Sequence, residues 1–161
     1  MFHRRLVAAG LLLVSLSPWT ARTAIGQSPA EEPDPVLTVL DEKVQSFLGD
    51  VQSGQTKADY ETALDGLLAG SQLGTAAEAK DELIGKTADL SKRFGACRGY
   101  EQVAAKRVGQ DLVLMKYLYK CENFPVVWYF TFYRTDDVDG DWRVIIVRFD
   151  TELELLGFGQ P

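Results

Sequence analysis

The spacing of apolar residues changes period at Gly95, and few architectures accommodate that change. Upstream, apolar residues recur every three or four positions, the period of a helix that buries one face. Downstream they alternate, the period of a strand with one face on a core. Helices followed by strands joined through short connections make an α+β domain, with three N-terminal helices packed on one face of a four-stranded antiparallel sheet.

The first helix opens at Asp34, a residue type that caps exposed amides, with Pro35 at the first helical position. Leu37, Leu40, Val44, Phe47, Leu48 and Val51 form its apolar stripe, and "SGQT" from Ser53 ends it. The second helix is expected from Lys57 to Ala69, with Tyr60, Ala63, Leu64, Leu67 and Leu68 on one side and Gly70 as its stop. A capping box of Thr75 and Glu78 predicts a third helix running to Gly95, its inner side formed by Ala76, Ala79, Leu83, Leu90 and Phe94.

The strands are expected over Cys97–Val108, Asp111–Cys121, Val126–Thr135 and Trp142–Asp150. Asp139-Gly140 is a preferred pair for a two-residue hairpin turn. A turn centred there sets Phe132 opposite Val147 and Phe130 opposite Phe149. A preceding turn on Asn123-Phe124 sets Tyr117 opposite Phe130 and Met115 opposite Phe132. Both registers put Met115, Tyr117, Tyr119, Cys121, Val126, Trp128, Phe130, Phe132, Ile145, Val147 and Phe149 on one face. The other face carries Lys116, Lys120, Thr131 and Arg148. It also carries Leu112, Leu114, Leu118, Tyr129, Tyr133, Trp142, Val144 and Ile146, and is too apolar for a solvated surface. Either the tail from Leu153 to Pro161 or a second subunit in a homodimer is expected to cover it. The first hairpin admits two registers. Centred on Gly109, it sets Cys97 opposite Cys121 and turns Glu101 inward beside Tyr117. Centred on Gly109-Gln110, it sets Gln102 beside Tyr117 and turns Glu101 out.

Residues 1–26 read as a secretory signal peptide: Arg4 and Arg5, then an apolar run from Leu6 to Leu16, then the small residues Ala24 and Gly26. Residues 27–35 read as an acidic, Pro-rich lead-in, 36–150 as a single α+β domain and 151–161 as a tail. Cleavage near Gly26 takes away Arg4, Arg5 and Arg22 and no acid. The 17 basic residues fall to 14 against 23 acidic ones, a net charge of −9. That balance argues against nucleic acid and against membrane surfaces as partners of the mature form. Cleavage also removes His3, the one histidine, and with it imidazole catalysis and histidine-bound zinc. In a secreted or periplasmic setting, Cys97 and Cys121 are expected to form a disulfide.

Three constellations bear on function. The acids of "TDDVDGDW" have the composition of a calcium loop but not its spacing. With Gly140 sixth, Thr135 stands first and Ile146 twelfth, so the bidentate glutamate is missing and a solvated turn is expected. Glu101 beside Tyr117 would be a carboxyl group on an aromatic face, suited to proton transfer. Tyr60, Met115, Tyr117, Tyr119, Trp128 and Phe130 could line an apolar ligand cavity or simply fill a core. Gly-rich phosphate loops and clustered metal ligands are absent from the sequence, so neither a cofactor nor a metal is expected.

Helices first, then a sheet ending in "DGDWRVIIVRF", resembles the ketosteroid isomerase and nuclear-transport-factor-two-like superfamily, also called SnoaL-like or cystatin-like. The resemblance spans roughly Val36 to Asp150 and implies a curved, cone-shaped sheet. The family's enzymes place an Asp, or a His–Asp pair, in the cone with a tyrosine. Here only Glu101 with Tyr117 could stand in. The resemblance therefore implies a secreted, non-enzymatic domain that binds a small apolar ligand or a protein partner. A histidine-independent isomerase or lyase using Glu101 and Tyr117, or a structural dimerisation module, are the alternatives.

Overall fold

In the computed structural model, residues 34–135 and 140–153 are described. The signal segment, the lead-in up to residue 33, the acidic turn residues 136–139 and tail residues 154–161 lie outside them.

Helix α1 spans Pro35–Ser53, and the Asp34 carboxylate accepts the Val36 amide at 2.9 Å. Its stripe buries Leu40, Val44, Phe47, Leu48 and Val51. Helix α2 spans Lys57–Leu68 and buries Tyr60, Ala63, Leu64, Leu67 and Leu68. It starts with a reciprocal capping box between Thr56 and Asp59 that the sequence reading overlooked.

A short helix α3 (Gln72–Thr75) precedes the expected third helix, which is itself two segments, α4 (Ala77–Ala88) and α5 (Leu90–Phe94). The Thr75–Glu78 capping box does not form. Ala76 is the N-cap of α4 and has no capping side chain, while the Thr75 hydroxyl donates back to the Gln72 carbonyl at 2.9 Å. The buried side of this region is Ile84, Thr87 and Leu90, whereas Ala76 and Ala79 are exposed. Of the expected inner side, Leu90 is in the core and Leu83 and Phe94 pack against it, so the stripe holds from Leu83 onward and fails only at Ala76 and Ala79.

Four strands follow, β1 (Cys97–Val108), β2 (Leu112–Cys121), β3 (Val126–Arg134) and β4 (Trp142–Asp150), paired antiparallel in sequence order. The sheet is open, with β1 and β4 at its edges. Val113, Met115, Tyr117, Tyr119, Val126, Trp128, Phe130, Phe132 and Val144 share one core with the buried residues of α1, α2, α4 and α5. The helices thus pack on one face.

The expected faces hold across β2 and β3, but the registers shift. Tyr117 pairs with Trp128 and Met115 with Phe130, two residues from expectation. The connection runs from Glu122 to Pro125 as the expected strand limits implied, but its turn centres on Glu122-Asn123 and not on Asn123-Phe124. A shift of two leaves every side chain on its original face. Between β3 and β4 the shift is again two, with Trp128 opposite Phe149 and Phe130 opposite Val147. An irregularity at Thr131/Phe132 then sets Phe132 opposite Val144. That extra residue exchanges two assignments. Val144 is inward and buried, while Ile145, expected inward, is 44% exposed. Trp142, expected on the outer face, has its ring under the Arg107 guanidinium, and Arg107 in turn pairs with the Asp34 cap of α1.

The first hairpin contains two irregularities, between Cys97 and Tyr100 and between Gln102 and Ala104. They reconcile the two registers read from sequence: Cys97 lies opposite Cys121, yet Gln102 lies opposite Tyr117. A disulfide joins Cys97 to Cys121. Gly95, just before it, has φ 81°, and a Cβ there would come within 3.0 Å of Glu122. Only glycine allows the chain to leave α5 and enter β1 so close to the end of β2.

The disulfide closes a separation of 24 residues, a loop whose cross-link stabilises by about 3–4 kcal/mol in the chain-entropy model. Thiol titration of the folded mature protein should find no reactive thiol. The Cys97→Ser/Cys121→Ser variant should stay folded but lose roughly that stability in urea unfolding. An unchanged midpoint would contradict a cross-link of this kind.

Candidate functional site

The inward face of the sheet meets α1 through aromatic rings. Phe47 stands edge-on to Trp128 at 5.4 Å and to Phe130 at 5.9 Å, and Trp128 lies against Phe149 at 4.7 Å. Tyr117 meets Phe130 edge-on at 5.8 Å. Such pairs add to the stabilisation from area burial alone. All six residues considered for a cavity, Tyr60, Met115, Tyr117, Tyr119, Trp128 and Phe130, are buried in this core. Phe47 occupies the space that a ligand over Trp128 and Phe130 would need. Tyr60 and Tyr119 also reach the wall of a cleft of about 150 Å³ near the disulfide.

Tyr117 is fully buried, so its phenol must find partners inside the protein. The hydroxyl donates to the Asp41 carboxylate on α1 and accepts from Gln102 Nε2 at 3.1 Å. Gln102 also donates to Asp41 Oδ1 at 2.7 Å, Gln45 donates to Oδ2 at 2.6 Å, and the Tyr100 hydroxyl donates to the Gln45 carbonyl at 3.1 Å. Both carboxylate oxygens of Asp41 are therefore engaged. The cluster ties α1 to β1 and β2. Burial, then the Asp41 carboxylate, push the Tyr117 phenol above its usual range; burial does the same to Tyr119.

Glu101 is not part of this cluster. It lies opposite Leu118 and is exposed, with its carboxylate 2.6 Å from Lys120 Nζ, which holds its pKa below the usual range. The irregularity after Cys97 brings Gln102 to the place expected for Glu101. A proton-transferring Glu101 would need an elevated pKa and a neighbouring tyrosine hydroxyl, and it has the opposite surroundings.

A different concavity lies where α1 meets β4. It encloses about 630 Å³ and is lined by Val36, Val39, Leu40 and Lys43 of α1, with Gly70, Asp141, Trp142 and Arg143 among the facing residues. Positions 36, 39, 40 and 43 share one side of α1. Val39 is 63% exposed, unusual for a valine flanked by the buried Leu40 and the half-buried Trp142. Sequence reasoning missed this groove, because it followed only the stripe through Leu37, Leu40 and Val44. The legible signal was Val39, an apolar residue off that stripe, one turn from Val36 and Lys43.

No protein-family model, curated protein or solved structure matches this chain. Among the described residues no helix is long and apolar enough to cross a membrane.

The buried phenols carry a pH signature. Their neutral form is favoured in the fold, so the stabilisation is fully present below the unfolded phenol pKa of about 10 and is lost as pH rises beyond it. Alkaline absorbance titration should show Tyr117 and Tyr119 ionising only with unfolding. Tyr117→Phe should reduce the loss of stability above pH ~10 while costing about 1–2 kcal/mol near neutrality from the orphaned carboxylate contact. Ionisation of Tyr117 and Tyr119 in the still-folded protein near the usual phenol range would refute this burial.

Proposed function

We propose that this chain is a secreted or periplasmic, non-enzymatic binding domain with a cone-type fold, and that it takes a small apolar ligand in the groove between α1 and β4. The observation that carries this reading is the contrast between two surfaces of α1. Its core side is closed by Phe47 against Trp128 and Phe130. Its neighbouring side leaves Val36, Val39 and Trp142 around an open space of about 630 Å³, within the range of small-molecule sites. An enzymatic reading has less support, since Glu101 is paired at the surface and both oxygens of Asp41 are engaged. The disulfide fits an oxidising compartment.

The neutral dye phenylnaphthylamine serves as the probe. It should bind saturably, with fluorescence enhancement, and Val39→Glu should weaken it at least tenfold while circular dichroism stays unchanged. Leu114→Ser, on the far side of the sheet, should have no effect. Absent binding, or equal binding by the Val39→Glu variant, would remove the groove as the site.

Self-association is a second reading, favoured by the outer face of the sheet. Leu114, Thr131 and Ile146 form one row across β2, β3 and β4, with Tyr133 in the next row and Ile145 at the irregularity of β4. Leu114, Tyr133, Ile145 and Ile146 are each 38–47% exposed. Val127 and Tyr129 of the same face are already buried, so the surface on offer is confined to these two rows. Light scattering should then report a dimer that Ile146→Lys converts to monomer. A monomer at every concentration would dismiss this reading and leave the groove unaffected.

A further inference from the structure

Lys43 differs from most other lysines of the domain. Lys57, Lys80, Lys86, Lys92 and Lys120 each sit within 4 Å of an acid. Lys43 forms no ion pair and no hydrogen bond among the described residues, yet it is partly buried. It extends along the groove wall on the same side of α1 as Val36, Val39 and Leu40. Burial lowers its pKa, and Asp141, close enough to favour the charge, does not pair with it.

We propose that the groove selects an amphipathic anion, a carboxylate or sulfonate on an apolar body, and that Lys43 is its anchor. The proposal rests on the groove being the binding site. A neutral apolar ligand would cover the ammonium further and give nothing back for its lost water, which is costly for a charge. An anionic head brought to Lys43 would restore the missing partner through a charge-assisted hydrogen bond. Lys43 and Val36 are seven residues apart on α1, about 10 Å along the axis. The head would therefore sit at the Lys43 end, with the apolar body running past Val39 toward Val36 and Trp142. A cationic ligand would meet Lys43 with like charge and be excluded.

Two dyes of the same ring system separate this proposal from the reading beneath it. Anilinonaphthalene sulfonate carries the anion; phenylnaphthylamine is its counterpart without the sulfonate. The wild-type protein should bind the sulfonate about tenfold more tightly, the worth of one desolvated charge pair. Lys43→Met keeps the length and apolar stem of the side chain, so it should abolish that advantage, while phenylnaphthylamine, no longer covering an ammonium, should bind no more weakly than to wild type. Lys43→Arg should retain most of the preference. Equal affinity of wild type for both dyes, or a sulfonate preference that survives Lys43→Met, overturns the anion anchor and leaves the groove standing. If neither dye binds, the groove and the anchor fall together. A folded baseline for each variant comes from its circular dichroism and urea midpoint.

Discussion

The edge-on contact of Phe47 with Trp128 and Phe130 is the interaction on which most of the structure depends. It joins the longest helix to the strand that is buried on both sides along Val126–Phe130. Rings of this size remove large apolar areas from water, and a well-packed interior leaves little slack around them. With Phe47 seated there, α1 is held at a definite height and rotation over the sheet. Asp41, two turns earlier, then reaches the Tyr117 phenol, and Asp34, at the start of α1, reaches Arg107 of β1. The apolar contact sets the distance, and the polar contacts set the rotation.

The same rotation explains where an open space is left. A helix has one side for the sheet, and the side next to it must be covered by something else. At the end of α1, Tyr60 of α2 reaches back to the Gly54 carbonyl at 2.9 Å. At the first turns of α1, Val36, Val39 and Lys43 border a groove whose other wall includes Gly70 and Trp142. A fold that fills the inward face of its sheet with side chains can thus still present a concavity beside it. Pocket-like properties there do not depend on the interior aromatics, whose alternating spacing first suggested a cavity.

Irregularities in the sheet have a further consequence for chemistry. Two in β1 and one in β4 decide which of two adjacent residues faces the helices: Gln102 and not Glu101, Val144 and not Ile145. In the first case a neutral amide stands beside a buried phenol where a carboxyl group would have stood. Gln102 can donate to both the phenol and Asp41, so the cluster is satisfied. Glu101 is left to pair with Lys120 in solvent, where its charge costs little.

Much of the fold was legible in the residues themselves. The change of period at Gly95, the Asp34-Pro35 start of α1, the β1 limits and the separation of Trp128, Phe130 and Phe132 from Tyr129 and Tyr133 all follow from local alternation and capping chemistry, which need no knowledge of distant contacts. The cysteine pair was likewise readable as cross-strand partners. Tertiary structure decided the rest: the breaks at Ala76 and Asp89, the extra residues in β1 and β4, the filled inward face and the groove beside it. Each of these depends on which of several locally equivalent arrangements packs best against residues far away in sequence. Period and propensity are nearly indifferent to a one-residue irregularity, but a packed core is not.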